Sequence, residues 1–159
     1  MDDDSSPKRP SDSESRSVHI TFPNDANIHG TVFGGRVMAW IDELGALTAM
    51  RHARKPVVTA LIDAVGFSYP IRVGQVAILA AVVTRAWTTS MEVYVTVDTE
   101  DPLSDTRHRA AEAYLTFVAV DTGGQPQPVP PVAPHSAAER ARFDDAQARR
   151  ERRLAARGR

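Results

Sequence analysis

One carboxylate, Asp42, stands in an otherwise apolar stretch of the sequence. In a helix, the residues three and four positions away from it are all small or apolar: Met38, Ala39, Gly45 and Ala46. A carboxylate on such a face loses hydration and is a candidate general base. The alternative is a partly exposed aspartate with a structural partner, because the neighbouring Glu43 shows that the helix also has a polar stripe.

A glycine-rich segment, His29-Gly30-Thr31-Val32-Phe33-Gly34-Gly35, leads into the same predicted helix. Glycine lets a ligand approach the backbone closely, and the first turn of a helix offers unpaired N–H groups at a positive dipole end. Amides at Gly34 and Gly35 are therefore candidates for polarising a carbonyl and stabilising an oxyanion. A simple tight turn into the helix would explain the two glycines equally well.

The spacing of these two features limits how they can act together. Asp42 follows Gly35 by seven residues, which in a helix is two turns and roughly 10 Å along the axis. That is too far for both to act on one carbonyl within a single chain. Two such helices lying antiparallel at a twofold interface would bring each aspartate toward the glycine end of the other, giving two equivalent sites per dimer.

Asn27 and His29 precede the glycines and are further candidates. An asparagine can orient water or bind a carbonyl, although the Asn24–Asn27 segment also has the composition of a plain turn. His29 is a candidate acid, base or substrate contact, or an exposed loop residue. No histidine pair has metal-ligand spacing, and the sequence contains no P-loop, Rossmann glycine pattern or Gly-x-Ser-x-Gly elbow.

The composition narrows the class of protein. The chain has 159 residues, 42% of them apolar, and a net charge of −1, which suits one domain and shows no overall bias toward nucleic acid. It has no cysteine, which excludes disulfides, thiolate catalysis and Cys-ligated zinc. The longest apolar run, 76–83, falls short of the about 20 residues that span a bilayer. Because the acidic N-terminus also lacks the apolar core of a signal peptide, we expect a cytoplasmic protein without membrane insertion.

The pattern along the chain predicts where these residues are held. Residues 1–16 are polar and are expected to be disordered, and the compact domain is expected over 17–121. Within it, the spacing of apolar residues predicts one helix, and alternation predicts strands that pair mainly antiparallel. The helix is expected over 34–51 and the strands over 18–22, 57–69, 75–87, 91–100 and 107–120. Gly66 suggests a bulge or a close approach of another backbone. The buried helix fits a sheet that curls around it.

The C-terminal part divides into a Pro-rich connector, 122–135, and a charged helix, 136–159. Ser136 and Glu139 have the spacing of a capping box. We expect this helix to be solvated and packed loosely on the outside. An arginine-rich contact for nucleic acid or anionic lipid is the alternative, but four acidic residues interrupt the arginines.

Taken together, these motifs resemble a known family. Asp25 to Gly35 followed by Met38-Ala39-Trp40-Ile41-Asp42 is similar to the signature of hotdog-fold acyl-CoA thioesterases of the brain acyl-CoA hydrolase type and their bacterial relatives. Val57-Val58-Thr59, Phe67, Pro70, Val73-Gly74, Thr89-Ser90-Met91 and the closing 116–121 segment continue the resemblance. It extends over residues 17–150.

The resemblance implies an α+β hotdog fold, in which about five antiparallel strands wrap a long helix, and a homodimer, often a trimer of dimers. It implies that Asn27 and Asp42 form a catalytic pair from different subunits and that Thr89 and Ser90 lie near coenzyme A. Asp63 matches the family's acidic position on the first long strand. Trp87-Thr88 departs from the family's usual Gly-Arg or Gly-Lys, so a cation is missing there.

The function expected from the sequence is hydrolysis of fatty acyl-CoA to the free acid and CoA, with no cofactor and no metal. Asp42 of the partner chain would be the general base, with a role as nucleophile as the alternative. Asn27 would position water or the carbonyl, and Gly34 and Gly35 would polarise the carbonyl. His29, Gly30, Thr89 and Ser90 would contact the substrate. Two alternatives stay open: a hotdog thioesterase for aromatic, phenylacetyl-type acyl-CoA, and a non-catalytic acyl-CoA sensor.

Overall fold

The computed structural model describes residues 5–158, which contain two α-helices and five β-strands. Their bounds are β1 Ser15–Ile20, α1 Gly34–Ala53, β2 Val57–Phe67, β3 Val76–Ala86, β4 Ser90–Asp101, β5 Thr106–Ala119 and α2 Ala137–Arg157. The strands form one sheet in the order β1-β3-β4-β5-β2, with every neighbouring pair antiparallel. The predicted single helix followed by antiparallel strands is confirmed. Neither helix in the described part of the chain is long and apolar enough to cross a membrane.

The two faces of the sheet carry different helices. A methyl group added at Gly45 of α1 would come within 3.1 Å of the Phe117 ring, so α1 packs directly on what we call the inner face. The guanidinium of Arg149 in α2 lies 3.8 Å above the Tyr114 ring on the opposite, outer face. Phe117 and Tyr114 are three positions apart on β5, so their side chains point to opposite faces of the sheet. The bulge predicted at Gly66 is confirmed by a register shift between Asp63 and Gly66.

Helix α1 buries one stripe against the sheet and leaves the other open. The buried stripe comprises Val37, Trp40, Ile41, Leu44, Gly45, Thr48, Ala49, His52 and Ala53. On the open stripe Asp42 is partly exposed, and Leu47 and Met50 keep 37% and 40% of their surface accessible. In a single chain the helix is thus buried on one side only. Apolar residues left open in this way are typical of a surface that another chain covers.

Helix α2 is capped as predicted, because the Ser136 hydroxyl accepts from the Glu139 amide at 3.0 Å and the Glu139 carboxylate accepts from the Ser136 amide at 3.0 Å. The predicted loose packing of this helix is wrong. Ala146 is fully buried, and the Trp87 indole donates to the Gln147 side chain at 3.0 Å. The division of the chain at residues 121 and 135 stays a prediction.

The disorder predicted for residues 1–16 does not hold for the described part of that segment, and residues 1–4 lie outside the described chain. The Lys8 amide donates to the connector at Pro131, Pro10 is buried, and β1 begins at Ser15. Composition suggested disorder because the segment is polar. Its order comes from contacts with residues distant in sequence, such as the Lys8–Pro131 hydrogen bond and the pairing of Ser15 with Ala81 of β3, which composition does not show.

His52 joins the end of α1 to the connector. Its ring is fully buried, and Nε2 lies 2.8 Å from the Pro130 carbonyl, while the Lys8 ammonium donates to the His52 carbonyl at 2.7 Å. Burial lowers the pKa of His52 below its ordinary value of 6.5, against the opposing effect of the Pro130 hydrogen bond. The unfolded chain therefore binds a proton at a pH where the folded protein does not.

This lowered pKa predicts that the protein loses stability as the pH falls below about 6.5. In that range His52 takes up a proton in the unfolded chain before it does so in the folded protein, and this favours unfolding. The Tm of the wild type should fall between about pH 7.5 and pH 5.5, and His52→Gln should reduce that fall. His135→Gln, a change at an exposed histidine, is the matched control. Equal pH dependence of the wild type and His52→Gln would contradict this role for His52.

Candidate active site

Asp42 has one side-chain partner in the described chain, the hydroxyl of Thr59, which donates to Oδ1 at 2.8 Å. Thr59 belongs to β2, so the contact forms where this strand passes the open stripe of α1. Thr59 was not among the predicted site residues, because its contact with Asp42 spans 17 positions and depends on tertiary structure. The hydrogen bond fixes one carboxylate oxygen and leaves the other without a protein donor among residues 5–158.

Helix α1 begins at Gly34 after Phe33, which provides no side-chain cap. The amides of Arg36 and Val37 both donate to the Phe33 carbonyl, at 3.0 and 3.1 Å. Within the described residues, the amides of Gly34 and Gly35 donate no hydrogen bond, and both glycines are exposed. A methyl group at Gly35 would meet nothing within 4 Å. The helix start therefore has two free donors, with open space beside Gly35 and the Phe67 ring beside Gly34, an arrangement that can bind a carbonyl or oxyanion.

The carboxamide of Asn27 closes the loop before this helix. Its Oδ1 accepts from the His29 amide at 2.9 Å and the Thr31 amide at 3.3 Å, and its Nδ2 donates to the Thr31 hydroxyl at 3.0 Å. Asn27 thus stabilises its own turn, which is the structural role considered for it from the sequence. A carboxamide nitrogen has two N–H groups, so Asn27 retains one donor for another acceptor.

Gly30 is held in the same loop, with a φ of 76° that favours glycine. Its amide donates to the Asn27 carbonyl at 3.1 Å, and its carbonyl accepts from the Val73 amide at 3.1 Å. The neighbouring His29 is exposed. Arg36 fastens the loop to α1 through an ion pair of 3.2 Å with Asp25. Asn27, His29, Gly30 and the helix start therefore form one continuous surface.

A cleft of about 380 Å³ adjoins this surface. It is lined by Thr31, Val32, Gly34, Val37, Phe67, Ser68, Tyr69, Pro70, Ile71, Ala110 and Ala111. Most of these side chains are apolar, so the cleft suits an apolar group attached to a carbonyl held at Gly34. Asp42 is not among the lining residues. The structure thus brings Asn27 and the glycines together and leaves Asp42 apart in the same chain, as the helical spacing predicts.

Thr89 and Ser90 lie elsewhere, where β3 turns into β4. The Thr89 carbonyl accepts from the Ala119 amide at 3.0 Å, and the Ser90 hydroxyl accepts from Arg150 of α2 at 3.2 Å. These two residues face the outer side of the sheet, whereas Asp42 lies on α1 at the inner side. No group of three or more His, Asp or Glu side chains in the described residues is arranged to hold a metal ion.

Comparison with known proteins agrees with this architecture. Residues 29–105 match the model of the thioesterase superfamily. The uncharacterised acyl-CoA thioester hydrolase YkhA of Bacillus subtilis is 44% identical over 74% of this chain and 69% of its own length. The chain belongs to the hotdog-fold acyl-CoA thioesterases. It is thus a thioester hydrolase, and the resemblance read from the sequence is confirmed.

Other members of the family extend the comparison. The cytosolic acyl coenzyme A thioester hydrolase of Mus musculus is 38% identical over 90% of this thioesterase chain, which spans only 38% of the mouse protein. A hexameric acyl-CoA thioesterase in its apo form superposes with a TM-score of 0.91 at 43% identity, covering 94% of this chain and 96% of its own.

An acyl-CoA hydrolase from Staphylococcus aureus has been solved in complex with butyryl coenzyme A, coenzyme A and coenzyme A disulfide. It superposes with a TM-score of 0.88 at 45% identity, and the match covers 94% of this chain and 92% of the S. aureus chain. Structures also exist of that hydrolase with an aspartate, a threonine or an asparagine replaced by alanine.

Proposed function

We propose that this thioesterase hydrolyses acyl-CoA to a carboxylic acid and free CoA, with Asp42 as the general base. The observation that carries the proposal is the position of Asp42. It lies on the open stripe of α1, accepts a hydrogen bond from Thr59 of β2, and is two turns from the free amides at Gly34 and Gly35. Hydrolases similar to this chain are named for acyl-CoA, and one of them has been solved in complex with CoA compounds.

The active unit proposed is a homodimer, and larger assemblies such as a trimer of dimers would be built from it. Asp42 and the Gly34–Gly35 end of its own helix are separated by roughly 10 Å. Two α1 helices packed antiparallel through their open stripes would cover Leu47 and Met50, and would place Asp42 of one chain near the glycine end of the other. A hexameric thioesterase among the structural relatives is consistent with assembly.

In the proposed mechanism, the thioester carbonyl accepts hydrogen bonds from the Gly34 and Gly35 amides, and the acyl group occupies the apolar cleft. Asp42 of the partner subunit takes a proton from water, whose oxygen attacks the carbonyl carbon. The amides stabilise the tetrahedral oxyanion, and Asn27 donates its remaining N–H to it or to the water. The C–S bond then breaks, Asp42 of the partner subunit gives the proton that it took from water to the departing sulfur, and CoA leaves as the thiol while the acid is released.

The remaining parts of the proposal follow from composition and family. No cofactor is required, because water, a carboxylate and backbone amides suffice for this hydrolysis. A cytoplasmic location is proposed because the chain lacks cysteine and the mouse relative is named cytosolic.

The test is release of free thiol from short, medium, long and aromatic acyl-CoAs by the purified protein, monitored with a thiol reagent. Release that is fastest with straight-chain acyl groups supports a fatty acyl-CoA hydrolase, and preference for phenylacetyl-CoA supports the aromatic alternative. Tight binding of acyl-CoA with no thiol released from any of them would refute the hydrolase and favour the sensor.

A further inference from the structure

The apolar cleft beside Gly34, which we call the acyl cleft, has on its wall an aromatic pair that the proposed mechanism does not use. Tyr69 lines the cleft, and its ring is stacked on that of His108. The two ring centres are 4.1 Å apart and the planes are inclined by only 16°. His108 belongs to β5 and does not itself line the cleft, so it acts on the cleft through Tyr69.

The other end of the cleft is where the thioester would be held. A methyl group added at Gly34 would lie 3.5 Å from the Phe67 ring, and Phe67 pairs with Ala111 of β5. All three residues line the cleft. A carbonyl bound by the Gly34 amide therefore places the first carbon of the acyl chain near the level of Ala111 in the sheet.

The stacked rings lie further along the same strand. Ala111 is paired with Val97 of β4. His108 is paired with Thr99, which is two residues further along β4. Two strand residues span roughly 7 Å, so this is the distance along the sheet from the level of Ala111 to His108. The Tyr69 ring, which covers His108, thus lies at the end of the cleft away from Gly34.

The backbone and the stack together hold the Tyr69 ring in place. The amides of Ser68 and Tyr69 both donate to the Ala110 carbonyl, at 2.8 and 3.3 Å. Pro70 follows directly and restricts the backbone conformation of Tyr69. Because Tyr69 keeps 42% of its surface accessible, its ring would be free to turn into water without His108 beneath it.

We propose that the Tyr69–His108 stack closes the acyl cleft and thereby sets the longest acyl chain that the enzyme accepts. This rests on the proposed function, since the chain in the cleft is the acyl group of a thioester held at Gly34. An extended backbone advances about 3.3 Å for every three atoms, so roughly 7 Å holds about six carbons beyond the carbonyl. Chains of up to about eight carbons therefore fit, and the end of a longer chain meets Tyr69.

The experiment measures kcat/KM for straight-chain acyl-CoAs of two to sixteen carbons. In the wild type, each added methylene should raise kcat/KM about fourfold until the chain has about eight carbons, because each is buried in the cleft. The readout is the ratio of kcat/KM for dodecanoyl-CoA to that for hexanoyl-CoA, which cancels any effect common to both substrates. Tyr69→Ala should raise this ratio about tenfold or more, since a methylene that no longer clashes is worth at least that much.

His108 is tested as the residue that positions the Tyr69 ring. His108→Ala should raise the ratio about threefold, because the ring remains but loses the stacking that holds it. His108→Phe, which restores an aromatic partner, should return the ratio to the wild-type value. The matched controls are Phe22→Ala and His135→Ala, which remove exposed rings that do not line the cleft. Neither should change the ratio by more than about twofold.

An unchanged ratio in Tyr69→Ala overturns the proposal, including the case in which kcat/KM falls equally at every chain length. Binding of S-alkyl-CoA thioethers of the same lengths, measured by calorimetry, provides a readout independent of turnover. Their affinity should stop rising at about eight carbons in the wild type and continue to rise in Tyr69→Ala. If the wild type releases no thiol from any acyl-CoA, the hydrolase function fails, and the thioethers still decide whether the stack limits chain length.

Discussion

Replacing Asp42 with asparagine or alanine is expected to lower kcat by about 100- to 10,000-fold, the range that general-base catalysis contributes. Asparagine keeps the shape of the side chain and can still accept from the Thr59 hydroxyl, so the loss would come from the missing base. The partly exposed position of Asp42 means that neither change leaves a buried group without a partner. Thiol release under saturating acyl-CoA is the measurement.

Glu43→Gln is the matched control, because it removes the same charge from the adjacent, exposed residue of α1. Its kcat should stay within about twofold of wild type. Light scattering should show that the oligomeric state is unchanged in all these variants. Near wild-type turnover by folded, assembled Asp42→Asn would remove Asp42 from the mechanism.

Thr59→Val tests the partner of the same carboxylate. The valine keeps the volume and removes the donor, so the carboxylate loses the hydrogen bond that orients it. A hydrogen bond to a charged group contributes about 1.5 kcal/mol, which corresponds to about a tenfold loss in kcat. The change should have no further effect in the Asp42→Asn background, since residues that act together are not additive. Equal losses in both backgrounds would assign Thr59 a role independent of Asp42.

The parts of the fold that could be predicted are those fixed by local pattern. Apolar spacing and alternation placed α1 and β2 to β5 to within two residues, whereas β1 runs Ser15–Ile20 and not 18–22 as predicted. The capping box at Ser136 correctly predicted a helix that begins at Ala137. The separation of Asp42 from Gly35 also followed from local geometry, because a continuous helix fixes its own length.

The parts that could not be predicted depend on which segments meet in space. Thr59 becomes part of the site only because β2 passes close to α1, so that its hydroxyl reaches Asp42. Glu92 is the clearest case: alternation between Met91 and Val93 places it on the outer face, where a strand residue ordinarily meets water. In this protein α2 covers it completely.

That buried carboxylate is the main polar link between α2 and the sheet. Its two oxygens accept from Arg149 at 2.7 and 3.1 Å, and Oε1 also accepts from the Thr84 hydroxyl at 2.7 Å. Arg153 lies 3.6 Å from Oε2. Each carboxylate oxygen thus has two donors or cations beside it. A buried charge is tolerated when it is paired and hydrogen-bonded in this way.

Replacing Glu92 with alanine should therefore lower the free energy of unfolding by about 3–5 kcal/mol, the cost of removing one partner from a buried ion pair. The loss arises chiefly from Arg149, whose side chain has only 13% of its surface in water and loses the carboxylate with which it pairs. Urea unfolding at a fixed protein concentration measures it, since assembly makes apparent stability depend on concentration. Glu14→Gln, which breaks the exposed pair with Arg16, should cost no more than about 1 kcal/mol.

The double variant Glu92→Met, Arg149→Met distinguishes the effect of the unpaired charge on stability from the effect of lost packing. Two apolar side chains of similar length fill the same space and leave no unpaired ion, so most of the stability lost in Glu92→Ala should return. If the double variant is as unstable as Glu92→Ala, the packing rather than the unpaired Arg149 accounts for the loss.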